Sequence, residues 1–287
     1  MIGLVTDSNG ALPEGIAARL APLATLGVVP LHVTVDGVEY REGVDLDADG
    51  FYRLLAAEPT PAVGSSQPSP GAFLAAYRDQ AELGATEVLS IHIGSELSGT
   101  LNAARVAARR SPVPVRLVDS HSASFGVAFA VWAAAEVLAT GANGDEAEAR
   151  AVDVATRLRN VFVVRAFDLA TAGGRVRVGS DGATGADDLI PVLSLAGGEA
   201  VVVDRVATVE QAARVMAAEV RRAGKGLRVA IGIADAGAAP LWQALEADLA
   251  DDPIVAELVR YRIGPSVGVH LGPGTAAALF LPWTAPG

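Results

Sequence analysis

The sequence contains no cysteine, which excludes disulfides, thiolate metal ligands and cysteine nucleophiles. Lysine is almost as rare, because Lys225 is the only one in 287 residues. Glycine follows it and no glycine-rich turn precedes it, so the chain has no P-loop. A single lysine in this context also leaves no S-x-x-K motif, and there is no G-x-S-x-G elbow. ATP hydrolysis through a P-loop and these two serine-hydrolase designs are therefore not expected.

Basic charge is also scarce. The formal net charge of -11 opposes the phosphate backbone, so nucleic acid is not an expected partner. The first residues lack the charged and apolar regions of a signal peptide. The most apolar run, 125–140, carries Glu136 and is too short to suggest a membrane span. These absences, together with the missing cysteines, predict a cytoplasmic protein without an integral membrane segment.

The first half of the chain alternates short apolar runs with amphipathic patterns, which is typical of an α/β domain with a largely parallel, Rossmann-like sheet. The strands are expected at 2–7, 28–36, 87–93 and 115–119, and helices near 13–20, 48–57, 70–82, 99–109 and 123–140. Glycines and polar residues at 141–146 interrupt the pattern, and a helix at 145–159 is expected to lead into the second half. We therefore predict an N-terminal domain at 1–159.

The second half, 160–287, is richer in strand-like segments and predicts a C-terminal α/β domain with a mixed sheet. The β-rich segments are 161–166, 189–195, 199–208, 228–235, 257–264 and 267–272, with helices near 208–223 and 237–249.

Two apparent motifs favour ordinary structural roles. The run DLDADG at 45–50 begins like a calcium loop, but Ala56 occupies the position of the essential glutamate. Its carboxylates are expected instead to cap the helix that follows. The run DSHS at 119–122 combines triad residue types, but contiguous residues rarely converge into a triad. Ser120 or Ser122 is expected to cap the next helix.

The histidines give no metal motif. They are His32, His92, His121 and His270, which are widely spaced and form no H-E-x-x-H pair. No metal and no cofactor are expected.

Loops rich in hydroxyls follow several predicted strands and open the next helices, at 6–10, 64–71, 93–100 and 119–124. In an open α/β sheet such loops share the carboxyl edge, where ligands bind. Helix N-termini and serine hydroxyls supply hydrogen-bond donors, so the expected ligand has an anionic head. Within GSSQPSPG, Ser69 before Pro70 is typical of a helix N-cap, which leaves Ser65 and Ser66 available for binding.

Six blocks, in order, resemble the DegV family of bacterial fatty-acid-binding proteins. They are I-G-L-V-T-D-S (2–8), V-P-L-H-V (29–33), S-S-Q-P-S-P-G-A-F (65–73), H-I-G-S-E-L-S-G-T-L-N-A-A (92–104), V-D-S-H-S-A-S-F-G (118–126) and V-H-L-G-P-G (269–274). G-G-R-V (173–176) and I-P-V-L-S-L (190–195) are similar to later blocks of the same family. The resemblance covers the whole chain.

The resemblance implies a long-chain fatty acid held between the two domains, its carboxylate at the serine loops and its chain in an apolar tunnel. It also implies a non-catalytic subunit that presents the fatty acid to a separate ATP-dependent fatty acid kinase subunit, which forms acyl phosphate for phospholipid synthesis. The implied head-group residues are Ser65, Ser66, Ser95, Ser98, His270 and Arg175. Phe73, Phe125 and Phe129 are expected along the tunnel, although core packing would also explain them.

Three positions depart from the family pattern, namely Arg177, Ala207 and Leu271. Arg177 stands where many members have lysine, and Ala207 stands where a basic residue often precedes the threonine, although Arg205 is close by. If that strand edge helps the kinase to dock, the partner differs or its contact is weaker. Leu271 replaces a threonine and removes a polar group near the head group. Two other functions stay open at this point. The chain could be a carrier or sensor of another anionic amphiphile, or a stand-alone acyl or phosphoryl transferase.

Overall fold

The structure, a computed structural model, describes residues 1–57, 60–166, 189–196 and 199–284. Its first sheet is parallel and contains β1 (Ile2–Asp7), β2 (Leu26–Val29), β6 (Glu87–His92) and β7 (Val115–Asp119) in the order β2-β1-β6-β7. The strand order reverses between β1 and β6, so a crevice opens at their carboxyl ends. The expectation of a parallel N-terminal sheet is confirmed.

The helices of the first half are α1 (Glu14–Leu20), α2 (Ala48–Leu55), α3 (Pro70–Glu82), α4 (Thr100–Ala108), α5 (Phe125–Ala139) and α6 (Gly144–Arg157). All except α2 pack around this sheet, whereas α2 packs in a separate cluster with Val33 and Val35. One face of the sheet packs against α3 and α4, and the other packs against α5. Every residue of α5 from Phe125 to Ala135 is buried, because this helix lies between two sheets and is apolar on all sides.

The second sheet is mixed, as the sequence predicts. It contains β8 (Arg159–Val163), β9 (Ile190–Ala196), β10 (Glu199–Val206), β11 (Leu227–Ile233), β12 (Val255–Arg262) and β13 (Ala276–Pro282), ordered β10-β9-β8-β13-β11-β12. Only β11 and β12 run parallel among these neighbours. One face packs on α5, and the other is covered by α7 (Val209–Arg222) and α8 (Ala239–Leu249).

A third, antiparallel sheet corrects the expected strand at 28–36. Its strands are β3 (His32–Val35), β4 (Val38–Arg41) and β5 (Val63–Ser66), in the order β4-β3-β5. Pro30 lies between β2 and β3, so the apolar run continues into a different sheet. Proline donates no ladder hydrogen bond, which explains the break. Ser65 and Ser66 consequently lie on a strand that the sequence pattern indicates as a loop.

The segment 267–272 is helical, so its assignment as β-rich is wrong. It belongs to α9 (Pro265–Leu271), which begins with proline at its first position. A single turn of apolar residues between glycines carries too little periodicity to distinguish helix from strand. The strand β13 was missed for a related reason, because its alanines resemble a helix-forming run.

The cap predictions have mixed outcomes. Asp47 accepts a hydrogen bond from the Gly50 amide at 2.7 Å, and Ser69 accepts one from the Ala72 amide at 3.2 Å, so both caps are confirmed. The prediction that Ser120 or Ser122 caps α5 is wrong. The cap position belongs to Ser124, whose positive φ of 57° turns the chain so that its side chain bonds elsewhere.

The largest core cluster joins both halves of the chain. It holds Leu89 of the first sheet, Trp132 of α5 and Leu279 of the second sheet, all buried. The proposed boundary between 159 and 160 falls where β8 begins, and it stays a prediction. Among the described residues, no helix combines the length and hydropathy that a membrane span requires.

Candidate functional site

A cavity of about 400 Å³ opens between the carboxyl edge of the first sheet and the inner face of the second. This volume lies within the usual range for small-molecule sites. Its polar lining is Asn9, Ser65, Ser66, Gln67, Ser98, Ser122, Ser124, Asn160, Ser266 and His270. Its apolar lining includes Leu31, Ile93, Leu97, Phe162, Leu195, Ile263, Val267, Leu271, Ala277 and Leu279. Neither half of the chain forms the cavity alone.

Ser65 and His270 meet in this cavity from opposite halves of the chain. The Oγ atom of Ser65 lies 3.1 Å from Nε2 of His270. Ser65 is near the end of β5, and His270 lies in the last turn of α9, which packs against β5. Both side chains are partly buried, so an anionic group in the cavity could accept a hydrogen bond from each.

Ser66 and Ser98 also line the cavity, as the sequence analysis expected. Ser98 Oγ is 2.8 Å from Thr100 Oγ1 and accepts a hydrogen bond from the Thr100 amide at 3.3 Å. It therefore helps to start α4 while facing the ligand space. The side chain of Gln67 lies against Gly99, where a Cβ atom would be 1.8 Å from Gln67 Oε1. Glycine at 99 is what allows these two loops to meet.

The structure does not bring Ser95 to the cavity. Its side chain is exposed and its amide donates to Asp119 Oδ1 at 3.2 Å. Asp119, Glu96 and His121 each offer one potential metal-ligating atom, and these atoms lie within 4.8 Å of one another. His121 Nδ1 is 3.0 Å from Glu96 Oε1, so these groups already bond to each other. Arg175, the remaining predicted head-group residue, lies outside the described residues.

Asn9 is a cavity residue that the sequence analysis did not single out. It is 2 % exposed, its Nδ2 donates to Ser266 Oγ at 3.0 Å, and its Oδ1 accepts from the Ser124 amide at 2.7 Å. These bonds tie the first sheet's edge to α5 and α9. The hydroxyl-rich pattern at 6–10 pointed to this loop, but Ser8 of that loop turns away from the cavity, to Glu42.

A buried hydrogen-bond chain lies beneath the cavity at the strand-order reversal. Asp7 Oδ2 is 3.0 Å from His92 Nδ1, and His92 Nε2 is 2.6 Å from Ser90 Oγ. Ser90 Oγ is also 3.0 Å from the Tyr77 hydroxyl. This sequence of groups is similar to a catalytic triad, but all four side chains are fully buried, so no substrate reaches the hydroxyl. The Asp7 carboxylate also accepts hydrogen bonds from the backbone amides of Asn9 and Ile93. This buried hydrogen-bond chain therefore fixes two loops that line the cavity.

The second sheet supplies part of the apolar lining of the cavity. Phe162 and Ala277 pair in register on β8 and β13, and both line the cavity. Phe73, Phe125 and Phe129 do not line it, because they are fully buried in the cores on either side of the first sheet. The structure therefore shows that these three residues pack in the core, which is the other explanation given for them above.

This arrangement belongs to the α/β class of protein, with a cavity between a parallel and a mixed sheet. Hydroxyl, amide and imidazole groups line the cavity together with aliphatic side chains. Such a lining suits a ligand with an anionic head and an apolar tail.

Comparison with known proteins agrees with this class. Residues 1–282 match the family model described as "Uncharacterised protein, DegV family". A DegV domain-containing protein of Streptomyces coelicolor is 34% identical over 95% of this chain and 95% of its own. Another from Deinococcus radiodurans is 34% identical over 99% of both. A solved DegV family protein from Thermus thermophilus, described as fatty acid binding, has a TM-score of 0.87 at 29% identity and covers 98% of this chain and 99% of its own. The chain belongs to the DegV family.

Proposed function

We propose that this protein binds one long-chain fatty acid in the cavity between its two halves. The observation that carries the proposal is the approach of Ser65 to His270 in a cavity that apolar side chains from both halves of the chain also line. The fatty acid binding described for the related Thermus thermophilus protein supports it. In this arrangement the carboxylate accepts hydrogen bonds from Ser65 and His270, with Ser66 and Ser98 beside them.

Burial of the chain supplies most of the affinity in this proposal. Each buried methylene contributes about 0.8 kcal/mol, so a long acyl chain contributes on the order of 10 kcal/mol before ordering costs. A neutral hydrogen bond contributes only about 1 kcal/mol. The hydroxyls therefore orient the head group, while Phe162, Ala277 and Leu279 provide the apolar surface.

We further propose that the protein presents the bound carboxylate to a separate ATP-dependent fatty acid kinase subunit, which forms the acyl phosphate. The sequence supports a separate kinase because it has no P-loop. The exposed Ser66 beside Ser65 also supports it, because a carboxylate bound beside Ser66 would be accessible to another protein. The cytoplasm is the compartment that fits this activity.

The kinase proposal is tested by mixing the fatty-acid-loaded protein with a fatty acid kinase catalytic subunit, ATP and magnesium. Acyl phosphate, trapped as the hydroxamate, is expected with the wild-type protein and at a much lower rate with Ser65→Ala. Fatty acid that binds with normal affinity but is never phosphorylated by any such subunit would contradict the kinase proposal and leave the binding proposal intact.

One observation favours a second candidate, a stand-alone acyl transferase. Ser65 Oγ next to His270 Nε2 is the pairing that a serine nucleophile and its general base require. Intact-protein mass spectrometry after incubation with an activated acyl ester separates the candidates. A covalent acyl adduct that is lost in Ser65→Ala supports acyl transfer, whereas the unmodified mass supports a binding role.

A further inference from the structure

A second cavity, of about 780 Å³, lies directly behind the first. Residues that are adjacent in the sequence line opposite cavities, so the wall that separates the two is a single layer of backbone. Ser8, Pro30, Arg262 and Pro265 line the second cavity, whereas Asn9, Leu31, Ile263 and Ser266 line the first. Tyr261 is the one described residue that lines both.

Tyr261 is held firmly in this wall. Ser124 Oγ donates a hydrogen bond to its hydroxyl at 3.0 Å, and its ring centroid lies 5.0 Å from that of Phe125. The ring also lies against Gly232 on the neighbouring strand, where a Cβ atom would be 2.3 Å from the ring carbon Cζ. The absence of a side chain at 232 is therefore what lets the ring lie across the sheet.

The sheet register places Tyr261 at the end of the cavity floor. Phe162 pairs with Ala277, Ala277 with Gly232, and Gly232 with Tyr261 across four strands. Phe162, Ala277 and Tyr261 all line the first cavity. The floor thus runs across β8, β13 and β11, and the tyrosine ring ends it on β12.

We propose that Tyr261 is the end wall of the fatty-acid cavity and sets the longest acyl chain that the protein accepts. This inference rests on the proposed binding of a fatty acid. Truncation of the ring would join the two cavities into one. The second cavity offers apolar surface to a longer tail through Ala11, Leu12 and Leu26, which pack against the same apolar cluster as Tyr261.

The magnitude follows from burial. Each additional buried methylene strengthens binding about fourfold. A tail that gains two methylenes of contact beyond the former wall would bind roughly fifteenfold more tightly. In the wild-type protein the same two methylenes meet the Tyr261 ring and bring no such gain.

The test compares affinities for palmitate, stearate and arachidate in the wild-type protein, Tyr261→Ala and Tyr261→Phe. The phenylalanine variant is the control, because it keeps the ring and loses only the bond from Ser124. The arachidate-to-stearate affinity ratio is expected to rise roughly fifteenfold in Tyr261→Ala and to stay at the wild-type value in Tyr261→Phe. An unchanged ratio in a Tyr261→Ala protein that still binds palmitate would overturn the inference.

A second measurement on the unmodified protein covers the case in which the alanine variant does not fold. Stearate with a photoreactive diazirine at its terminal carbon is bound, irradiated, and mapped by peptide mass spectrometry. Crosslinks at Tyr261 or Gly232 support the inference. Crosslinks confined to the opposite side of the floor, at Leu195 or Asn160, overturn it. Failure of the wild-type protein to bind any of these fatty acids would instead refute the proposed function itself.

Discussion

Ser65 Oγ lies 3.1 Å from His270 Nε2 although the two residues are 205 positions apart in the chain. The contact joins the small antiparallel sheet to α9, and both residues line the cavity. If these two groups hold the carboxylate together, removing either one should weaken binding.

We therefore expect Ser65→Ala and His270→Gln each to weaken fatty acid binding roughly tenfold to a hundredfold, because a hydrogen bond to a charged group is worth about 1.5–3 kcal/mol. Titration of each purified variant with a fluorescent fatty acid measures the change. The double variant should lose less than the sum of the two single losses, because both groups contact the same carboxylate.

Ser95→Ala is the matched control for these variants. Ser95 is an exposed serine in a neighbouring loop, outside the cavity lining. Its replacement is expected to leave fatty acid affinity unchanged. A loss comparable to that of Ser65→Ala would return Ser95 to the head-group site that the family resemblance implies.

Much of this site was predictable from the sequence, for identifiable reasons. Short strands, hydroxyl-rich segments and the Ser69 cap are local signals, so the parallel sheet and the choice of Ser65 and Ser66 as candidates followed from them, although these two serines lie on a strand and not in a loop. His270 required the family resemblance, because no local pattern distinguishes it. Asn9 and the Tyr261 wall were not predictable, because they depend on which strands of two sheets lie opposite one another.

Glycine at 232 should be needed for the Tyr261 wall to form. Gly232→Ala is expected to destabilise the protein by about 1–3 kcal/mol, because its Cβ overlaps a fully packed ring. Chemical denaturation measures the free energy of unfolding. Gly64→Ala is the control, since no atom lies within 4 Å of a Cβ built at that strand position. Equal stability of the two variants would contradict the packing described.

Glu42 should make stability depend on pH. Burial raises the pKa of its carboxyl, and the nearby Asp7 acts in the same direction, whereas hydrogen bonds from Ser8 and Ser266 lower it. A raised pKa in the folded state means that the stabilising contribution is complete below the unfolded value of about 4.3 and is lost as pH rises through the folded value.

Glu42→Gln should therefore gain stability relative to the wild-type protein as pH rises from acid to neutral, because glutamine never ionises. Its amide can still accept from the Ser266 amide and donate to Ser8 Oγ. Denaturant unfolding at several pH values gives the difference. Exposed Glu82→Gln serves as the control. A difference between Glu42→Gln and wild type that shrinks with rising pH would contradict this assignment.

Ser69 should act on stability and not on binding. Ser69→Ala removes the cap of α3 and is expected to lower the free energy of unfolding by about 1 kcal/mol, whereas Ser69→Gly should cost only a few tenths. Fatty acid affinity should stay at the wild-type value in both variants. A loss of affinity like that of Ser65→Ala would show that Ser69 contributes to fatty acid binding and does not act only as a helix cap.

Whether the cavity holds a fatty acid is best tested by identifying any lipid that copurifies with the protein. The protein is purified without detergent, its mass is measured under native conditions, and the organic extract is analysed by mass spectrometry. We expect one long-chain fatty acid per protein chain, with a lower occupancy in Ser65→Ala. An extract free of lipid, from a protein that also takes up no added fatty acid, would contradict it.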